Sequence, residues 1–86
     1  MPNEVILRLY VTRHNPHAKA AIKILKKLKK EVDISVEVVD ITEDPDLARE
    51  YHLIAIPTLE RIKPEPRRRI IGDLSDEKAL LKFIGC

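Results

Sequence analysis

Apolar and polar positions alternate near the start of the chain, with Val5, Leu7, Leu9 and Val11 set against Ile6, Arg8, Tyr10 and Thr12. A period of two with β-branched residues predicts a strand. Its mostly apolar make-up predicts an interior strand covered on both faces. Residues 13–15 read as a short loop, and Pro16 fits a first helical turn, where its missing N–H costs nothing. From position 17 to about 31 the period lengthens. Ala21, Leu25, Leu28 and Val32 share one face, with Ala20 and Ile24 beside them, and Lys19, Lys23, Lys26, Lys27 and Lys30 fall mostly opposite. A second strand follows at 36–41, which makes a right-handed βαβ unit with parallel strands. Asp44 before Pro45 predicts an N-cap and first turn for a short helix through Leu47, Ala48 and Tyr51.

Residues 54–62 read as a third strand, interrupted early by Pro57. Proline is poorly tolerated inside a central strand. An edge position or a cis Ile56–Pro57 bond at the strand's entrance resolves the conflict, and the cis bond is the expectation. Residues 63–66 form a turn, and 67–71 a fourth strand, antiparallel because the link is short. Gly72 ends it. Ser75 is expected to cap a last helix with Leu80, Leu81, Phe83 and Ile84 on its buried side, closed by Gly85. The order β-α-β-α-β-β-α, with a mixed four-stranded sheet, is the α/β plan of thioredoxin.

Composition narrows the function classes. At 86 residues, with no linker or repeat, residues 1–86 form one domain. Aromatic residues make up only 3%, so the core must be aliphatic. A net charge of +2 gives no global field for nucleic acid. No apolar run is long enough for a transmembrane helix, and the N-terminus has no secretory pattern, so a cytoplasmic protein is expected.

The stretch Ile54-Ala55-Ile56-Pro57-Thr58-Leu59 reads like the cis-proline strand of a thioredoxin-type fold. Where that fold carries Cys-x-Pro-Cys, this chain has His14-Asn15-Pro16-His17. A dithiol mechanism needs one thiol to attack and a second to resolve the mixed disulfide. The chain has a single cysteine, Cys86, which excludes an intrachain disulfide and a cysteine-rich zinc site. The reading is therefore a binding protein with no catalytic residue and no cofactor. His14 and His17 could supply half a metal site, but nothing nearby completes one, and they read as surface histidines. Arg67, Arg68 and Arg69 lie on the fourth strand, with Arg67 and Arg69 on one face and Arg68 on the other. They either guard a sheet edge or dock an acidic partner; interleaved aromatics for single-stranded nucleic acid are lacking. The lysine face of the first helix, Lys23 included, is either a solvated surface or a second docking face.

Three blocks carry a family resemblance. These are Leu7-Arg8-Leu9-Tyr10-Val11 followed by Pro16, Val38-Val39-Asp40-Ile41 with Pro45-Asp46-Leu47-Ala48, and Pro57-Thr58-Leu59 through Arg68-Arg69-Ile70-Ile71-Gly72-Asp73-Leu74-Ser75. Together they resemble the circadian clock family KaiB over nearly the whole chain. The resemblance implies a small adaptor that binds the ring ATPase KaiC and, with KaiA, turns KaiC towards dephosphorylation. It favours the docking reading of Arg67, Arg68 and Arg69; Lys23 of the lysine face is a further candidate contact, and Pro16, Pro57 and Gly72 are read as structural from their own local chemistry. It also implies two folds, a tetrameric ground state and a thioredoxin-like binding state, and so allows a homo-oligomer. The capped, helix-favouring stretch 75–83 favours the thioredoxin-like state for the isolated chain. The turn at 63–67 resembles the sensor domain of the kinase SasA more than a typical KaiB. The acidic tail of cyanobacterial members is absent, and His52 stands where they carry a lysine implicated in KaiC contact. A regulator of a KaiC-like ATPase is the leading reading. A free-standing SasA-type sensor domain and a thioredoxin- or glutaredoxin-like redox protein are the alternatives.

Overall fold

In the computed structural model, which describes residues 4–71, 74 and 76–85, seven elements follow the expected order. They are β1 (Val5–Val11), α1 (Pro16–Lys29), β2 (Ile34–Asp40), α2 (Asp46–Glu50), β3 (Thr58–Lys63), β4 (Arg68–Ile71) and α3 (Glu77–Ile84). The strands lie in the order β2-β1-β3-β4. β1 pairs with β2 in parallel, and β3 pairs antiparallel with both β1 and β4. The α/β, thioredoxin-like fold with a mixed four-stranded sheet is as the residue pattern predicts.

One face of the sheet is dry. Leu7, Leu9 and Val11 of β1 and Leu59 of β3 pack with Ala18, Ala21, Leu25 and Leu28 of α1 and with Leu80 and Ile84 of α3 in a single cluster. Cutting one fully buried leucine here to alanine removes transfer free energy and leaves a cavity, a loss of about 3 kcal/mol. α1 starts where Asn15 accepts the His17 N–H at 2.8 Å, with Pro16 in the first turn. Three lysines, Lys26, Lys27 and Lys29, sit at its negative C-terminal end. Lys27 reaches Glu77 of α3 at 3.0 Å and ties the two helices on their solvent side.

Several boundaries differ from the sequence expectation. Pro45, not Asp44, stands at the α2 N-cap, without a side-chain cap bond; Asp44 contributes its backbone carbonyl, which accepts from the Leu47 N–H. Asp76 caps α3, accepting from the N–H groups of Lys78 and Ala79; Ser75 lies outside the described residues. β3 begins at Thr58, so Pro57 precedes the ladder and removes no bond from it, and the Ile56–Pro57 peptide is cis. Gly85 ends α3 in the left-handed conformation at φ 98°.

A polar relay across the sheet and the candidate interaction face

The sheet face opposite the aliphatic cluster carries charge. Strand alternation puts Glu37 of β2, Arg8 and Tyr10 of β1, Glu60 of β3 and Arg69 of β4 on it. Their polar groups join in strand order. Arg8 Nε donates to Glu37 Oε1 at 2.8 Å, and Arg8 Nη1 to the Tyr10 hydroxyl oxygen at 3.4 Å. Tyr10 Oη donates to Glu60 Oε1 at 2.8 Å, and Arg69 Nε to Glu60 Oε2 at 3.2 Å. Arg69 then leaves the sheet: Nη1 donates to the His52 carbonyl at 3.0 Å and Nη2 to the Tyr51 carbonyl at 2.6 Å. The Tyr51 ring lies 5.1 Å from that of Tyr10, with the Arg8 guanidinium 5.5 Å from the Tyr51 ring centroid.

Tyr10 is fully buried and Glu60 is 5% exposed. A buried carboxylate is expensive unless it is paired and hydrogen-bonded. Burial alone would raise the Glu60 pKa, but the Tyr10 hydroxyl and the Arg69 guanidinium outweigh it and hold the group below its ordinary value. Burial pushes the Tyr10 hydroxyl up, with Glu60 adding to the rise and Arg8 opposing it. At neutral pH the centre of the relay thus rests with the Glu60 carboxylate ionised and the Tyr10 phenol neutral.

The carbonyls that Arg69 grips belong to the turn leaving α2. The His52 N–H bonds to the Arg49 carbonyl at 3.2 Å and the Leu53 N–H to the Ala48 carbonyl at 2.8 Å. This double bond pattern is the Schellman close of a helix, which asks for a left-handed residue after the cap. His52 takes that place at φ 56°, where glycine is the usual occupant.

The candidate residues part company here. Arg67 is exposed and lies ahead of β4 rather than on it, so it does not share a strand face with Arg69 as the alternation predicts. Arg68 is exposed on the α-helical side, opposite Arg61. Arg69 has a side chain 33% exposed, with each of its nitrogens donating within the chain. Lys23 is exposed on α1, away from the relay. Pro16 stands in the first turn of α1 and Pro57 is buried ahead of β3, while Gly72 lies outside the described residues. His14 and His17 are exposed on either side of the Asn15 cap, and among the described residues no three metal-binding side chains cluster. Ile54, 91% exposed, stands in the loop ahead of β3. The sequence reading passed over Glu60 and Tyr10; an acid within an apolar strand and a tyrosine within an aliphatic one were the available signals. No described helix is long and apolar enough to cross a membrane.

The sequence matches the KaiB domain over residues 8–86. The chain belongs to the KaiB family. The circadian clock oscillator protein KaiB of Synechococcus elongatus is 42% identical over 80 residues, which is 88% of this chain and 78% of that protein. KaiB of Nostoc punctiforme is also 42% identical, over 79 residues, 88% of this chain and 76% of that protein. Among solved structures, the N-terminal domain of Synechococcus elongatus SasA superposes with a TM-score of 0.72 at 26% identity, covering 95% of this chain and 82% of that one. Chloroplastic thioredoxin z reaches a TM-score of 0.82 at 18% identity, over 96% of this chain and 77% of that one, a likeness of fold alone. This KaiB family member therefore keeps a thioredoxin-like frame.

Proposed function

We propose that the chain is a non-catalytic interaction module of the KaiB type, which docks on a KaiC-like ring ATPase and regulates it. The observation that carries the reading is KaiB family membership on a thioredoxin frame that has no thiol pair. Docking falls to the exposed Arg67 and Arg68, with Lys23 as a further contact; Arg69 supports the surface from beneath. No cofactor is required. Mixing the chain with a KaiC-like ATPase in its ATP and ADP forms, followed by size-exclusion chromatography, tests the reading. A co-eluting complex in one nucleotide state is expected, and its absence in every state would sink it.

A second reading, a free-standing counterpart of the SasA N-terminal domain, draws on that domain's likeness in fold and sequence. Competition separates the two. A SasA-type module would displace SasA from the ring without altering the ring's phosphorylation state, whereas a KaiB-type module changes that state. Thioredoxin-like redox activity is the weakest alternative. Insulin reduction with dithiothreitol is expected to give no turnover beyond that of a Cys86→Ser control.

A further inference from the structure

Among the described residues, the Nε–H of Arg61 is the one buried side-chain polar group without a hydrogen-bond partner. Buried donors are satisfied in nearly all native structures. Arg61 lies opposite Leu7 in the β1–β3 ladder, on the helical side of the sheet. There Nη1 donates to the Phe83 carbonyl near the end of α3 and Nη2 to the Pro66 carbonyl in the turn before β4, both at 3.3 Å. These bonds are longer than the roughly 2.7–3.2 Å of an ordinary N–H···O bond. A guanidinium has about five N–H donors, so most of this one's capacity is unused. Nor does Arg61 form a salt bridge with any described residue.

The guanidinium borders an open cleft of about 710 Å³ at the end of the sheet where β1 and β2 begin and α3 ends. Val5, Val32, Ile34 and Ile84 give the cleft apolar walls, and Lys63 adds a second cation. Glu4 and Asp33 also line it, but neither pairs with the two bases. Glu4 turns its carboxylate to the Ser35 hydroxyl, on the relay side of the sheet, and Asp33 is exposed at the entry to β2.

We propose that this cleft binds a small amphiphilic carboxylate of the medium-chain fatty acid class, its head on Arg61 and its chain along Val5, Val32 and Ile84. Three features select that class. The Nε–H and Nη2 edge of a single guanidinium is a planar fork that matches the two oxygens of a carboxylate. The negative end of α3 reaches the same cleft at Gly85 and opposes the second charge of a phosphate monoester. The cleft is also far larger than an inorganic ion, within the roughly 300–1,000 Å³ of small-molecule sites, and its walls call for an apolar body beside the charged head. The long bonds to Phe83 and Pro66 leave the guanidinium able to turn its unused edge towards the ligand, and the Phe83 bond, made from the other edge, can persist.

NMR titration of the isotopically labelled full chain with sodium octanoate, sodium acetate and octan-1-ol, at matched low-millimolar concentrations, tests the proposal. Octanoate is expected to give saturable shifts at the Val5, Ile34 and Gly85 amides and to move the Arg61 Nε–H resonance downfield. Acetate, a head without a body, and octan-1-ol, a body without a charged head, are each expected to bind at least about tenfold more weakly. Arg61→Lys keeps the charge but loses the fork, and is expected to weaken octanoate binding about tenfold, with amide shifts far from the cleft unchanged as the folding control. An absence of saturable octanoate shifts overturns the proposal. So does an Arg61 Nε–H resonance that stays in place as octanoate saturates, octan-1-ol that binds as tightly as octanoate, or an Arg61→Lys variant of undiminished affinity.

Discussion

Arg69 of β4 holds the carbonyl oxygen of His52 at 3.0 Å, and His52 is the single non-glycine residue in the left-handed region among those described. The same guanidinium neutralises Glu60. One side chain thus anchors a strained turn and a buried acid together. Removing it strands a carboxylate and frees two carbonyls. Arg69→Ala is expected to cost about 2–3 kcal/mol in urea unfolding. Arg69→Lys should recover only part of that loss, since an ammonium lacks the planar fork that meets three acceptors at once.

His52 supplies a second expectation. A side chain in the left-handed region costs roughly 1–2 kcal/mol, and glycine escapes that cost but gives up more chain entropy on folding. His52→Gly is therefore expected to stabilise the protein by about 0.5–1 kcal/mol, read as a higher melting temperature. A lower one would mean that the imidazole makes contacts worth more than the backbone strain.

Stability should bend with pH at both ends. The folded Glu60 pKa lies below its ordinary 4.5, so its contribution is present above that pH and is lost as pH falls through the folded value. The Tyr10 pKa lies above its ordinary 10.0, so stability tied to the neutral phenol is complete below that pH and declines as pH rises towards the folded value. Urea unfolding of Glu60→Gln should show a flatter acid limb than wild type, and Tyr10→Phe a flatter alkaline limb.

The arginine triplet divides in its effects. Arg67→Glu and Arg68→Glu change exposed groups and should move folding stability by no more than about 0.5 kcal/mol. Binding to a KaiC-like ring should nevertheless weaken about tenfold, most strongly at low salt. Calorimetric titration at two salt concentrations measures it. Unchanged affinity in both variants would remove β4 from the docking surface.

Local patterns carried most of the fold. Period-two alternation located β1, period 3.6 located α1, and Gly85 marked the end of α3, because each signal sits within one turn or strand of its effect. Cap identity was harder where two candidates adjoin. Asp44 and Ser75 look as good as their neighbours until the backbone chooses Pro45 and Asp76. The relay was nearly illegible. Tyr10 and Glu60 are fifty positions apart and Arg69 meets a turn seventeen residues upstream. Only strand order and register bring them together, so an arginine read as surface charge proves to be an internal brace.

Glu60 and Leu59 occupy adjacent places on β3 and face opposite ways. A slip of one residue would exchange them, thrusting a carboxylate among Leu7, Leu9 and Leu80 and an isobutyl group towards Tyr10 and Arg69. The relay therefore acts as a proofreading device on strand pairing, rejecting an error that a wholly aliphatic β3 would tolerate. It also constrains descent: a lineage that loses arginine at 69 leaves the acid at 60 buried without its cation, so a change at 69 is expected to bring a change at 60 with it.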